Sequence, residues 1–302
     1  MTEFIPDERL FTQLKDKVIV ITGGATGIGA ATVKLLAHHG ASIVMGDTNV
    51  QAASQLLENL PGNLTFVKTD VSDYNQLYAL CEQAFQLYGK IDHAISCAGI
   101  FEQGNWFDPN LTIESVKEQG NTKVLDVNVL GTLNFARIAS VFMREGGKEV
   151  GRNKSLTLLS SVNAFRDSPG LYLYQMSKHA IQGLLRSTRK TLPERDGIRV
   201  NAVCPGVTDT AMTAGIIDAF KNNNLFWQSP VSVAKIILGL VTNEAVVGKA
   251  VYVEGGDGWE FEDSLYAAQS HWLGEEATRR MRVNSEAVQK VSIVGRRRPS
   301  CC

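Results

Sequence analysis

The chain predicts an α/β protein: a doubly wound, seven-stranded parallel sheet with helices on both faces. Three observations lead there. Seven short runs of β-branched and aliphatic residues recur along the 302 residues, mostly separated by stretches of helical periodicity. The first run, 17–21, passes straight into a glycine-rich turn and then a helix. Acids, glycines and hydroxyls collect where the runs end, and ligands bind beyond the carboxyl ends of strands in such sheets.

Composition narrows the function classes. A net charge of -1 argues against a nucleic-acid surface or a general membrane surface. The first 17 residues have no apolar signal core, and no apolar run reads as long enough to span a bilayer. A soluble cytoplasmic protein is expected. The five cysteines, Cys81, Cys97, Cys204, Cys301 and Cys302, are odd in number and sparse, which fits reduced thiols and no metal cluster. The chain reads as one domain over 1–302, with its core at 17–256, a substrate-loop segment at 207–229 and a C-terminal extension at 257–302.

The elements follow in order. After the strand at 17–21 comes Thr22-Gly23-Gly24-Ala25-Thr26-Gly27-Ile28-Gly29, then apolar residues at helical spacing until Gly40. Glycines let a backbone approach a pyrophosphate, and a helix N-terminus offers free N–H groups. The run 41–47 is the second strand and ends in Asp47, where a carboxylate can bond both ribose hydroxyls of an adenosine and repel a 2′-phosphate. With no Arg or Lys in the glycine turn, the cofactor reads as NAD rather than NADP. Asp47 could also cap the next helix.

Residues 49–60 read as helical and 64–71 as the third strand, with Asp70 at the same edge as Asp47. Asp70 is placed to meet an adenine amino group or to cap the helix expected over 73–88. The fourth strand, 91–99, runs into Cys97-Ala98-Gly99, small enough to pack against a flat ring. Residues 100–121 look irregular, and 122–143 read as one long helix containing Asn128. A charged connection at 145–153 leads to the fifth strand, 155–161, which ends in Ser160 and Ser161. A sixth strand spans 197–206 and a seventh 250–256, with an apolar, mobile-looking segment at 207–229 between them.

Tyr174-Gln175-Met176-Ser177-Lys178 lies on the helix after the fifth strand. Tyr and Lys four apart share a helix face, and an ammonium one turn from a phenol favours the phenolate. Such a phenol can exchange a proton with an alcohol or carbonyl oxygen.

Taken in order, these motifs resemble the short-chain dehydrogenase/reductase family over about 17–256. Thr22-Gly23-x-x-x-Gly27-x-Gly29 matches its cofactor fingerprint, Asp70 (with Val71 beside it) its adenine-side acid, and Cys97-Ala98-Gly99 the turn after the fourth strand. Asn128, Ser161, Tyr174 and Lys178 match the catalytic tetrad, and Pro205-Gly206 with Thr208 and Thr210 the nicotinamide-side turn. Ser161 is preferred to Ser160 because it lies thirteen residues before Tyr174.

The resemblance implies a Rossmann-type fold and an NAD-dependent secondary-alcohol dehydrogenase. Tyr174 would be the acid/base and Ser161 would polarise the substrate oxygen. Lys178 would tune Tyr174 and hold the nicotinamide ribose, and Asn128 would position a relay water. It implies a homodimer or homotetramer built on the helices that carry Asn128 and Tyr174. An NADPH-dependent ketoreductase, or a non-redox isomerase or cyclase, are the alternatives.

One departure stands out: the family's Asn-Ala-Gly reads Cys97-Ala98-Gly99, which removes a bracing amide. Trp106, Phe107, Tyr172 and the apolar residues of 207–229 suggest an apolar pocket and a bulky hydrophobic alcohol or ketone. In the extension, Trp259, Phe261, Leu265, Tyr266, Trp272 and Leu273 are apolar enough to pack on the body or a partner. The chain ends in Cys301-Cys302 after three arginines, a pattern similar to a prenylation signal.

Overall fold

A computed structural model describes residues 2–146 and 153–295. The connection expected at 145–153 and the basic, cysteine-ended tail therefore lie largely outside the described residues.

The seven expected strands are present and parallel. They are β2 (Val18–Thr22), β3 (Ser42–Asp47), β4 (Leu64–Lys68), β5 (His93–Ser96), β6 (Lys154–Leu159), β7 (Ile198–Pro205) and β8 (Ala250–Glu254). They lie in the order β4-β3-β2-β5-β6-β7-β8, reversing direction of growth between β2 and β5. All of β2, β5 and β7 is buried, as expected of strands covered on both faces.

Among the described residues the sheet nevertheless has nine strands, not seven. β9 (Asp257–Glu260) folds back antiparallel on β8, and β1 (Thr2–Glu3) pairs antiparallel with β9. Gly255 and Gly256 form the two-residue turn between β8 and β9, both at positive φ (61° and 97°). That is the backbone a tight hairpin needs, and glycine adopts it without strain. So the first part of the extension joins the sheet, between β8 and the edge strand β1.

Helices cover both faces. On one side α1 (Gly27–His38) packs on α9 (Pro230–Thr242), over a core that includes Val33, Leu36, Ile237 and Val241. On the other, α3 (Tyr74–Tyr88) packs on α5 (Thr132–Glu145) around Leu77, Leu80, Phe135 and Ile138. Each fully buried aliphatic side chain of this kind contributes about 1.5–3 kcal/mol from burial. The remaining helices are α2 (Val50–Asn59), α4 (Lys123–Leu125), α6 (Tyr172–Thr188), α7 (Thr191–Asp196), α8 (Ile217–Asn222), α10 (Glu262–Ala267), α11 (Gln269–Leu273) and α12 (Glu275–Gly295).

The long helix expected over 122–143 is interrupted. Between α4 and α5, Asp126–Gly131 winds as a π-helix, and Asn128 sits inside it. By length and composition, Lys123–Glu145 is apolar enough to cross a bilayer, contrary to the reading from sequence; more than half of it is buried in the protein, against α3 and the sheet. It is a core helix by its contacts.

Candidate active site

Side chains from the carboxyl ends of β2, β3, β5, β6 and β7 line a cleft of about 630 Å³. Every residue expected at a cofactor borders it, from Gly23 in the glycine turn to Thr210 beyond β7. Of the four expected catalytic residues, Ser161, Tyr174 and Lys178 border it and Asn128 lies behind. Thr48, Asn49, Thr69, Gln103, Lys123 and Thr213 line it as well and were not singled out from sequence.

The glycine turn is built for close approach. Gly23 has φ +66°, and a Cβ there would meet the Ala98 backbone at 2.6 Å. The helix behind it is left open to an anion: α1 has no side-chain cap and no acid in its first turn. By contrast, Asn49, Asp73 and Ser229 cap α2, α3 and α9. The free N–H groups of α1 and its positive dipole end suit a pyrophosphate, and the turn has the room for one. A dinucleotide therefore fits these residues.

Asp47 is held from two sides: Oδ2 accepts from the Ala25 N–H and Oδ1 from the Asn49 N–H, both at 2.9 Å. Asn49, not Asp47, is the N-cap of α2. Likewise Asp73 caps α3, so Asp70 is not the cap. The Asp70 Oδ1 accepts from the Ser72 hydroxyl at 2.6 Å and the Ser72 N–H at 3.0 Å. Those bonds, the hydroxyl first, hold its carboxyl below the usual range.

At the missing amide, Thr22 supplies the brace. Its Oγ1 accepts from the Cys97 N–H at 3.2 Å and the Ala98 N–H at 3.4 Å, tying β2 to the end of β5. Cys97 is partly buried at the cleft, and desolvation pushes its thiol up to about 12.

The helix period explains the inner end of the cleft. Along α6, Tyr174, Lys178, Ile181 and Leu185 form one buried stripe. Lys178 is only 5% exposed; its Nζ donates to the Leu159 carbonyl at 3.1 Å and lies 5.4 Å from the Tyr174 ring centroid. The two serines divide. Ser160 Oγ donates to the Lys178 carbonyl at 3.1 Å, which ties β6 to α6. Ser161 Oγ accepts from the Asn163 N–H at 3.2 Å and, at a long 3.5 Å, faces the Pro205 carbonyl.

Asn128 is tied to two neighbours. Its Oδ1 accepts from the Ile100 N–H at 2.8 Å, and its Nδ2 donates to the Ile100 carbonyl and the Ser177 hydroxyl, both at 3.0 Å. Both amide hydrogens are thus engaged in bracing these two residues.

Of the aromatic and aliphatic residues put forward, only Met212 borders the cleft. Trp106 joins a small cluster with Val124, Leu173 and Tyr174, while Phe107 packs edge-on against Tyr172 with 71% of its surface exposed. Ile217 is buried, and Leu225 and Phe226 are exposed. The segment 207–229 is closed at its base by Gln228, whose Nε2 donates to Thr208 Oγ1 and the Val253 carbonyl, each at 3.1 Å. Among the described residues, no group of three or more His, Cys, Asp or Glu side chains converges.

Residues 17–220 match the family model described as short chain dehydrogenase. The chain is 32% identical over 255 residues to the 3-oxoacyl-(acyl-carrier-protein) reductase FabG of Thermotoga maritima, covering 81% of this chain and 98% of that protein. It is 34% identical over 212 residues to the short-chain dehydrogenase/reductase prx4 of Penicillium rubens, covering 70% of this chain and 60% of that protein's length. A solved short-chain dehydrogenase/reductase from Serratia marcescens superposes with a TM-score of 0.67 at 28% identity, over 80% of this chain and 98% of the other.

Proposed function

The chain belongs to the short-chain dehydrogenase/reductase family of NAD(P)-dependent oxidoreductases, and we propose that it interconverts a hydrophobic secondary alcohol and its ketone using NAD. One observation carries the reading: Ser161, Tyr174 and Lys178 border the same cleft as the glycine turn; Ser160 borders it too, but its hydroxyl donates to the Lys178 carbonyl.

When bound, the nicotinamide cofactor accepts or supplies a hydride at the carbinol carbon. In oxidation, Tyr174 takes the hydroxyl proton; in reduction, it returns one to the carbonyl oxygen. Ser161 donates a hydrogen bond to that oxygen and fixes its position. Lys178, anchored on the Leu159 carbonyl, presents its remaining N–H donors to the tyrosine side of the cleft and a nicotinamide ribose. Asn128 acts as a brace, holding Ile100 and Ser177 on either side of the site.

The Asp47 carboxylate supports NAD. It stands beside the glycine turn, bonded to backbone N–H groups, and would repel a 2′-phosphate. The substrate class is supported by Ile100 and Met212 at the cleft, with Phe101 against the Tyr174 ring, and by the name of the Thermotoga maritima relative, a reductase of a 3-oxoacyl group. Exposed Leu130, Leu133 and Val141 support self-association through the helix bearing Asn128. The thiols of Cys81, Cys97 and Cys204, unpaired with one another, support a reducing, cytoplasmic setting.

The test is a fluorescence titration with NADH and NADPH, followed by a panel of secondary alcohols and ketones. NADH should bind at least about tenfold more tightly, a difference of about 1.4 kcal/mol. Tyr174→Phe should keep cofactor binding and lose about 10²–10⁴-fold in turnover. Tighter NADPH binding would overturn the cofactor reading; wild-type turnover from Tyr174→Phe would overturn the mechanism.

A further inference from the structure

We propose that Glu102 is a positioning residue for Tyr174, holding the start of the helix that carries the acid/base from a loop 72 residues earlier. The inference rests on the reading of Tyr174 as the proton-transferring group. A helix leaves its first four N–H groups without partners, and polar side chains at the N-cap serve them. The N-cap position of α6 is Leu171, which makes no side-chain cap bond. Glu102 serves instead: its Oε1 accepts from the Leu173 N–H at 3.2 Å and its Oε2 from the Tyr174 N–H at 2.7 Å. The second bond ends on the backbone of the acid/base itself. A carboxylate also suits the positive end of the helix dipole.

Two further contacts from the same short stretch converge on Tyr174. The Phe101 ring lies 4.9 Å from the Tyr174 ring, centroid to centroid, at an angle of 51°. Ile100 is held on both backbone groups by Asn128, which also donates to Ser177 Oγ; Ser177 in turn donates to the Tyr174 carbonyl at 2.7 Å. The N–H, the ring and the carbonyl of Tyr174 are thus each tied back to residues 100–102. Among the described residues Glu102 makes no ion pair with Lys or Arg, so its carboxylate is given over to the helix start. Proton transfer falls steeply when its groups are misplaced by an ångström, so freeing this end of α6 should lower the rate of chemistry more than the binding of substrate.

The experiment compares Glu102→Ala with Glu102→Gln, which keeps an acceptor oxygen at nearly the same place without the charge. With an alcohol that the wild type oxidises, Glu102→Ala should lose about 10–100-fold in kcat, with KM for the alcohol within about threefold and NADH affinity unchanged. Glu102→Gln should recover at least about half of that loss on a logarithmic scale. Amide hydrogen exchange supplies a readout that needs no substrate. The Tyr174 amide should exchange slowly in the wild type and in Glu102→Gln, and fast in Glu102→Ala, with the rest of α6 still protected; the Leu173 amide, which loses its own acceptor oxygen in both variants, should exchange faster in both than in the wild type.

An unchanged kcat in a folded Glu102→Ala would overturn the proposal, as would a Gln variant as impaired as the Ala variant. If the wild type turns over nothing in the panel, the proposed reaction fails on its own. The exchange comparison then still decides the anchoring: equal exchange at the two amides in all three proteins overturns it.

Discussion

Asp47 Oδ2 accepts a 2.9 Å hydrogen bond from the N–H of Ala25, so the acid at the end of β3 and the glycine turn after β2 move as one unit. The carboxylate that would bind a ribose thereby also sets the shape of the loop that would bind the phosphates. Asp47→Ala removes both. NADH affinity should fall by about 10–100-fold, the loss of one or two hydrogen bonds to a charged acceptor. NADPH affinity should fall less, because the repulsion of the 2′-phosphate goes too. Parallel fluorescence titrations of the two cofactors check this; an equal loss for both would point to loop shape alone.

Gly29 tests the close approach of the turn to its helix. A Cβ at that position would overlap the Gly23 carbonyl oxygen, a backbone atom that cannot swing away. Gly29→Ala should therefore shift the turn, weaken NADH binding by more than about tenfold and lower the melting temperature. Gly62→Ala is the control: at φ +98° it is strained, but nothing lies within 4 Å of the added carbon. It should destabilise the protein and leave cofactor binding unchanged.

Glu262 fastens the extension to the catalytic helix. Its side chain is 3% exposed; it accepts from Gln182 Nε2 at 2.8 Å, Arg186 Nη2 at 2.7 Å and Arg189 Nη1 at 3.3 Å. All three partners lie on α6 or just beyond it. Glu262→Ala leaves them without their shared acceptor. Breaking a fully buried pair costs about 3–5 kcal/mol, and the partly exposed arginines reduce that to about 2–3 kcal/mol. Urea unfolding should show the loss as a lower midpoint, with NADH affinity little changed.

Burial of thiols predicts an alkaline limb to stability. Desolvation pushes Cys97 and Cys204 up to about 12, and raises Cys81 as well. The folded chain therefore keeps these protons at pH values where the unfolded chain has lost them. Their contribution is complete below the unfolded thiol value of about 8.5 and declines as pH rises from there towards 12. Each thiol should add about 1.4 kcal/mol per pH unit to the slope once the unfolded form is ionised. Chemical denaturation between pH 8 and pH 11 checks the slope, and Cys204→Ala should flatten it. At pH 8 alkylation of the folded protein should be on the order of 10³-fold slower than that of an exposed thiol.

Much of the fold was legible because it rests on local patterns. Each of the seven parallel strands is a short, largely apolar run, fully buried in β2, β5 and β7 and partly buried at the β4 edge, and each announces itself without knowledge of its neighbours. β9 was missed although Gly255-Gly256 is a hairpin signal, because the run after it is only four residues long and ends among acids. β1 has two residues, both exposed, and exists only because β9 is there to pair with it. The π-helix around Asn128 leaves no mark in the apolar spacing; it accompanies the fit of that side chain against Ile100 and Ser177.

By itself the sequence determined the order of the motifs, the strand-turn-helix context of the glycine loop, and the shared helix face of Tyr174 and Lys178. Those are consequences of short-range periodicity, repeated every 3.6 residues or every two. Only the tertiary structure decided that Ser160 bonds the Lys178 carbonyl, that Thr22 supplies the brace at Cys97, that the Asn128 side chain braces Ile100 and Ser177, and that Glu102 caps the helix of Tyr174. Each of these contacts joins residues 18 to 75 positions apart. No local period encodes such pairs; they arise where the packed sheet brings distant strand ends to one edge, and where a buried polar group must find a partner there.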